Sequence, residues 1–100
     1  MDREVRWTAA AREDLRTIAE HITKDSERYA ASFVEEARSA SSSLSSFTRR
    51  GRVVPEYGDK SLREIFVMSY RMIYRFTEQK VFVVAFIHGA RDLYQIFGKR

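Results

Sequence analysis

Arg71 and His88, with a carboxylate from Glu56 or Glu64, are the residues of this chain that could do chemistry. RNA can be cut by its own 2′-OH, which attacks the adjacent phosphate. That reaction needs a base for the hydroxyl proton, an acid for the leaving oxygen and a cation for the charge on the phosphorane. Glu, His and Arg suit those three roles. The same residues also have structural readings. Glu64 can pair across strands with Arg71 or Arg75. The His88 ring can hydrogen-bond the backbone of the turn that follows it. Gly89 is expected to supply a backbone conformation that other residues avoid. Arg91 and Asp92 can cap or bridge the tail. Arg49, Arg50 and Arg52 either contact phosphate or form a solvated basic loop. His21 reads as a surface or boundary residue and Trp7 as core. The sequence contains no metal-ligand cluster, glycine-rich phosphate loop or serine triad, so no metal and no cofactor are expected.

Whether Arg71 and His88 can cooperate depends on the elements that carry them. Residues 3–7, REVRW, form a short strand, and Thr8 is a plausible N-cap. Ala11, Leu15, Ile18, Ala19 and Ile22 then recur at helical spacing. Lys24, Asp25 and Ser26 break that stripe, and Asp25 or Ser26 can cap a second helix. There Ala30, Phe33, Val34, Ala37, Ala40, Leu44 and Phe47 keep one face apolar to the end. The serine-rich tract at 39–46 lies inside this stripe, so it reads as helix rather than linker. Residues 48–61 contain Gly51, Pro55 and Gly58 and read as a loop. Strands follow at about 62–68, 69–77 and 80–88, joined by short turns as an antiparallel meander. The tail, GARDLYQIFGKR, can start a short helix near Asp92. The predicted fold is α+β: a two-helix antiparallel hairpin on one face of a small, mainly antiparallel four-stranded sheet, in the order β-α-α-β-β-β.

A two-residue turn at Glu78-Gln79 pairs Thr77 with Lys80 and sets Arg71 opposite Phe86. One face then carries Tyr70, Met72, Tyr74 and Phe76 with Val81, Val83, Ala85 and Ile87, and a turn at Met68-Ser69 adds Ile65 and Val67. This uncharged face is the expected core under the helices. The other face carries Glu64, Phe66, Met68, Arg71, Ile73, Arg75, Phe82, Val84, Phe86 and His88. It is too apolar for water and too charged for a second core. Val53, Val54, Tyr57, Leu93, Tyr94, Ile96 and Phe97 are the chain's own candidates to cover it. A partner protein could cover the rest, with Phe66, Ile73, Phe82, Phe86, Tyr94 and Phe97 as its apolar contacts. Arg71 and His88 fall diagonally adjacent in this register, and a one-residue slip would separate them.

A chain of 100 residues, 44% hydrophobic and 32% charged, reads as one soluble domain with a modest core. It has no cysteine, which excludes disulfides and thiolate metal sites. The charged start, MDREVRW, has no apolar stretch of the kind a signal peptide carries, and no apolar run approaches a membrane span. The cytoplasm is the expected compartment. Residues 1–47 hold 7 Lys/Arg against 9 Asp/Glu, and residues 48–100 hold 11 against 5. The second half is therefore basic, which suits an acidic partner or nucleic acid, or else a solvated surface.

The segments VRWTAAAREDLRTIAEHI, GRVVPEYGDKSLREIFVMSYRMIYRF and VFVVAFIHGARDL, in that order, resemble the RelE/ParE toxins of bacterial type II toxin–antitoxin systems. The likeness spans about residues 4–93 and implies a helix hairpin on a small antiparallel sheet. Relatives similar to YoeB cut mRNA on the ribosome, and Glu56, Arg71 and His88 occupy places similar to their catalytic set. Gly89 stands where that pattern has Tyr, and the lysine cluster of RelE is missing. The VPE loop, YRMIYR and HGARDL look more like the ParE branch, whose members bind DNA gyrase. That resemblance implies Arg49, Arg50, Arg52, Arg71, Arg75 and Arg91 as target- or nucleic-acid-binding residues. It also implies a cognate antitoxin wrapped on the toxin as a hetero-oligomer, without a membrane. A ribosome-dependent nuclease and an inactive interaction protein of the same fold are the alternative readings.

Overall fold

The computed structural model describes residues 2–93. Strand β1 is Glu4–Trp7, helix α1 is Ala9–Thr23 and helix α2 is Glu27–Ser43. Four strands follow: β2 (Arg52–Val53), β3 (Leu62–Val67), β4 (Tyr70–Phe76) and β5 (Lys80–His88). They make one five-stranded sheet in the order β1-β5-β4-β3-β2. β1 runs parallel to β5, and every other pairing is antiparallel. The fold is α+β, with one strand more than the sequence suggested. The additional strand, β2, lies in the segment read as loop. It pairs through Arg52 and Val53 alone, too short a run for a periodicity to reveal.

The helix starts follow from local chemistry. Thr8 and Ser26, both in extended backbone, accept from the N–H groups of Ala11 and Tyr29 and satisfy donors that a helix leaves unpaired. α2 ends at Ser43, short of the predicted Phe47. The Ser41 and Ser43 hydroxyls bond the carbonyls of Arg38 and Ala40, a local competition that weakens helix continuation. Leu44 is still fully buried, whereas Phe47 is 67% exposed. Ser41, itself buried, also accepts a hydrogen bond from Trp7 Nε1 at 3.3 Å.

The sheet carries two apolar clusters, one on each face. On the helix side, Phe33, Ala37 and Leu44 pack with Met72, Tyr74, Val81, Val83 and Phe86. On the second face, Val54, Leu62, Ile73, Ala85, Ile87 and Leu93 form a smaller cluster, with Tyr57 against it. Val54, Tyr57 and Leu93 are thus three of the chain's own covers expected from sequence; Tyr94, Ile96 and Phe97 lie outside the described residues.

The β4–β5 register contains a bulge. Phe76, Arg75 and Tyr74 pair with Val81, Phe82 and Val83, as the Thr77–Lys80 turn requires. Ile73 then pairs with Ala85, so Val84 is the additional residue. Beyond it Met72 pairs with Phe86, Arg71 with Ile87 and Tyr70 with His88. The predicted pairing of Arg71 with Phe86 is therefore corrected by one residue. Phe86 moves under the helices, while Ala85 and Ile87 move to the second face, as a one-residue slip dictates. The bulge lies where β1 has ended and α1 has begun. Asp14 of α1 accepts the N–H of Phe86 at 3.0 Å, which gives the open edge of β5 a partner. Partial burial raises the Asp14 carboxyl above its ordinary value, and the Phe86 N–H works against that rise.

Tyr74 fastens the sheet to the segment after α2. Its buried hydroxyl donates to the Thr48 carbonyl at 2.7 Å and accepts from the Gly51 N–H at 3.0 Å. Gly51 permits the approach, because a Cβ there would stand 2.7 Å from both that hydroxyl and the Glu64 carbonyl. Tyr74→Phe removes both bonds and strands two buried backbone groups. A loss of about 1–3 kcal/mol is expected, read as a lower urea midpoint at unchanged slope.

Candidate functional site

Tyr70 and Met72 point under the helices, so alternation along β4 sends Arg71 to the second face. Arg71 is only 3% exposed there. A buried guanidinium is tolerated when its nitrogens find acceptors, and all three do. Nε donates to Glu64 Oε1 at 2.6 Å. Nη2 donates to Glu56 Oε1 at 2.7 Å and lies 2.5 Å from Glu64 Oε1. Nη1 donates to Glu56 Oε2 at 2.8 Å and to the Arg91 carbonyl at 3.0 Å. The Glu56 contact is a two-pronged fork, the strongest geometry for such a pair.

The two carboxylates extend the network. Glu64 Oε2 accepts from Arg52 Nε at 2.5 Å, and the Glu64 side chain has no exposed surface. Glu56 Oε2 also accepts the Leu93 N–H at 3.0 Å. The hydrogen bond from Arg71 holds the Glu56 carboxyl down at about 2, against the raising effect of burial, with help from the Leu93 N–H. The same fork raises Arg71 further above its ordinary value. One guanidinium thus joins β3, β4, the 54–57 turn and the 91–93 segment.

His88 is not part of this constellation. It pairs with Tyr70, and residues directly opposed share a face. Its ring sits edge-on to Tyr70 with centroids 5.6 Å apart, on the helix side of the sheet. It is exposed, and its Nδ1 accepts from the Ala90 N–H at 3.2 Å. The diagonal adjacency of Arg71 and His88 expected from sequence is corrected by the bulge. The structure brings Glu56, Glu64 and Arg71 together and leaves His88 behind the sheet. Gly89 has a different reason from the one expected. Among the described glycines only Gly58 has a positive φ, 66°. At Gly89 a Cβ would stand 2.9 Å from the exposed Phe66 ring and 3.1 Å from the Ser69 carbonyl, so a side chain there would have to displace the ring and crowd the carbonyl.

The basic residues named from sequence are dispersed. Arg52 is held by Glu64, and its guanidinium lies 5.6 Å from the Phe66 ring centre. Arg50 Nη1 donates to Ser43 Oγ at 2.7 Å. Arg49 lies 5.1 Å from the Phe76 ring centre, Arg75 is half-buried opposite Phe82, and Arg91 is exposed. The apolar set divides as well. Phe66 is 53% exposed and Phe82 is half-buried. Phe86 and Ile73 are buried within the chain itself, on opposite faces, so neither offers surface to a partner. Tyr94 and Phe97 lie outside the described residues. Met68, exposed at the β3–β4 turn, carries a positive φ of 55°. Among the described residues no group of three or more His, Cys, Asp or Glu could hold a metal ion, and no helix is long and apolar enough to cross a membrane.

Residues 5–93 match the family described as the ParE toxin of type II toxin–antitoxin systems, parDE. The chain belongs to the ParE toxin family. Among solved structures, a chain of the chromosomal ParDE toxin–antitoxin system from P. aeruginosa aligns with a TM-score of 0.69 at 16% identity. The alignment covers 86% of this chain and 95% of that one. At that identity the likeness is one of fold. No curated relative matches the chain. This ParE toxin keeps a Glu, Arg and His set in its sequence, yet it uses the Glu and Arg to tie its second face together.

Arg71→Ala would leave the buried Glu64 carboxylate without its main partner and is expected to cost about 3–5 kcal/mol in chemical unfolding. Acid should act on the same network through Glu56. Its folded pKa, about 2, lies below the ordinary 4.5. The stabilisation is therefore full above 4.5 and is lost as the pH falls from there through about 2. Unfolding midpoints measured across that interval should fall less steeply in Glu56→Gln than in the wild type.

Proposed function

We propose that this ParE toxin arrests growth by binding DNA gyrase, and that a cognate antitoxin chain binds and neutralises it. The state of Arg71 carries the preference for binding over RNA cleavage. A nuclease of the Glu56, Arg71 and His88 kind needs an arginine open to phosphate and a histidine within reach of the same phosphate. Arg71 instead has its three nitrogens on two carboxylates and a carbonyl. For a phosphate to take it, the fork to Glu56 would have to break and the buried Glu64 would keep only the half-exposed Arg52 as a partner, which opposes binding. His88 meanwhile faces Tyr70 on the other side of the sheet.

Antitoxin binding has support from the surface. Phe66 near the end of β3 and Met68 in the β3–β4 turn, two residues apart, are 53% and 41% exposed. Neighbouring exposed apolar side chains of this size suit the core of a protein interface. The formal charge of +4 favours association with an acidic antitoxin segment.

The test uses purified gyrase. Saturating toxin should stop supercoiling and accumulate cleaved DNA, and adding antitoxin should restore activity. Unchanged supercoiling and cleavage at saturating toxin would remove the gyrase reading. In cells, DNA synthesis should stop before protein synthesis after induction, and His88→Ala should be as toxic as the wild type. Early arrest of protein synthesis, abolished in His88→Ala, would restore the nuclease reading.

A further inference from the structure

Arg3, Arg49 and Arg63 converge on one aromatic ring. Their guanidinium carbons lie 5.5, 5.1 and 5.9 Å from the centroid of Phe76. Among the described residues none of the three forms an ion pair with a carboxylate, in contrast to Arg6, Arg16, Arg52 and Arg71. The same holds for Arg50, the residue after Arg49. The ring attracts each cation, but it neutralises none, and the three like charges repel one another.

The cluster is held by backbone carbonyls and one threonine hydroxyl. Arg3 Nε donates to the Thr77 carbonyl at 2.8 Å, and its Nη1 donates to Thr48 Oγ1 at 3.2 Å. Arg63 Nε donates to the Lys60 carbonyl at 2.9 Å, and its Nη1 donates to the Gly51 and Arg49 carbonyls at 3.1 and 3.3 Å. These bonds fix two guanidinium planes and use Nε and Nη1 of each. Among the described residues the Nη2 donors have no hydrogen-bond acceptor, and neither does the Arg49 guanidinium. Donors fixed in advance lower the entropy cost of binding an anion. Arginine forks match a phosphate better than lysine ammoniums do. Phe47, 67% exposed, precedes this cluster by two residues, and its carbonyl accepts the Arg50 N–H at 3.1 Å. Cations that can follow a backbone, beside an open aromatic ring, are the parts of a surface for unpaired nucleotides.

We propose that Arg3, Arg49 and Arg63 bind the phosphodiester backbone of single-stranded nucleic acid, with Phe47 stacking on an unpaired base. The site is separate from the Arg71 network. Phe76 belongs to the helix-side cluster, and Arg71 points to the other face. It also makes no use of the gyrase reading, and its test contains no gyrase, so either can fail alone.

The test is fluorescence anisotropy of a labelled oligothymidine and a labelled duplex with the purified toxin over a range of salt concentrations. The oligothymidine should bind more tightly than the duplex, and its affinity should fall with salt. Arg49→Gln with Arg63→Gln should flatten the slope of log K against log salt by about 0.7 for each phosphate no longer neutralised. Phe47→Ala should weaken oligothymidine binding by roughly tenfold and leave the duplex unchanged. The Arg49 side chain makes no hydrogen bond among the described residues, so Arg49→Gln alone separates weakened binding from a damaged fold, with thermal unfolding as the check. Salt-independent or absent binding by the wild type would overturn the proposal. So would an unchanged slope in the double variant. A polyglutamate peptide that displaces bound oligothymidine at lower concentration than unlabelled oligothymidine does, and loses that ability in the double variant, would assign the cluster to an acidic protein instead.

Discussion

The carboxylate of Glu64 is the constraint around which the second face of this protein is arranged. Its side chain is wholly buried, and a buried carboxylate without a partner costs several kcal/mol. Arg71 on the neighbouring strand meets it, but Arg71 is then buried too and has more donors than Glu64 can accept. Glu56 and the Arg91 carbonyl take the remainder. Glu56 in turn holds the Leu93 N–H. Each step removes an unsatisfied group and brings one more piece of chain onto the sheet. The result closes the apolar cluster of Val54, Leu62, Ile73, Ala85, Ile87 and Leu93 over a face that alternation alone would leave half exposed. A polar network is here the reason that a turn and a terminal segment can act as the cover of a core.

The same dependence explains why the candidate triad misleads when it is read from residue types. Glu56 and Arg71 do meet, as a paired catalytic base and phosphate-binding arginine would. Their fork is symmetrical and saturated, though, and it satisfies burial without leaving a donor for a substrate. Residues of the right type at the right places specify a fold as readily as a reaction. What distinguishes the two is the state of their hydrogen-bonding capacity, which only the geometry reveals.

Much of the architecture was legible because it rests on local periodicity and capping. The apolar stripes of α1 and α2, the Thr8 and Ser26 caps and the β3–β4 hairpin with Ile65 and Val67 under the helices all follow from short-range rules. The register beyond Val83 was not legible. The run VFVVAFI in β5 is apolar in both phases of the strand period, so a slip of one residue leaves both faces hydrophobic. Nothing in the pattern penalises the bulge at Val84. The residue that gives the bulged strand a partner, Asp14, sits on α1, far earlier in the chain. β2 escaped for a related reason: two residues carry no period.

The bulge decides more than packing. Without it, the alternation of β5 would set His88 beside Arg71 on the second face. With it, His88 turns to Tyr70, while Ile87 takes the place opposite Arg71 and adds to the apolar cluster around the Glu64 network. An apolar neighbour lowers the local dielectric and makes the ion pairs both stronger and harder to break. One inserted residue thus exchanges a titratable ring for a hydrophobic wall beside Arg71. The exchange is favourable for holding the second face shut and unfavourable for proton transfer there. In this ParE toxin the demands of a closed face and of an open catalytic arginine are opposed, and β5 is built for the first.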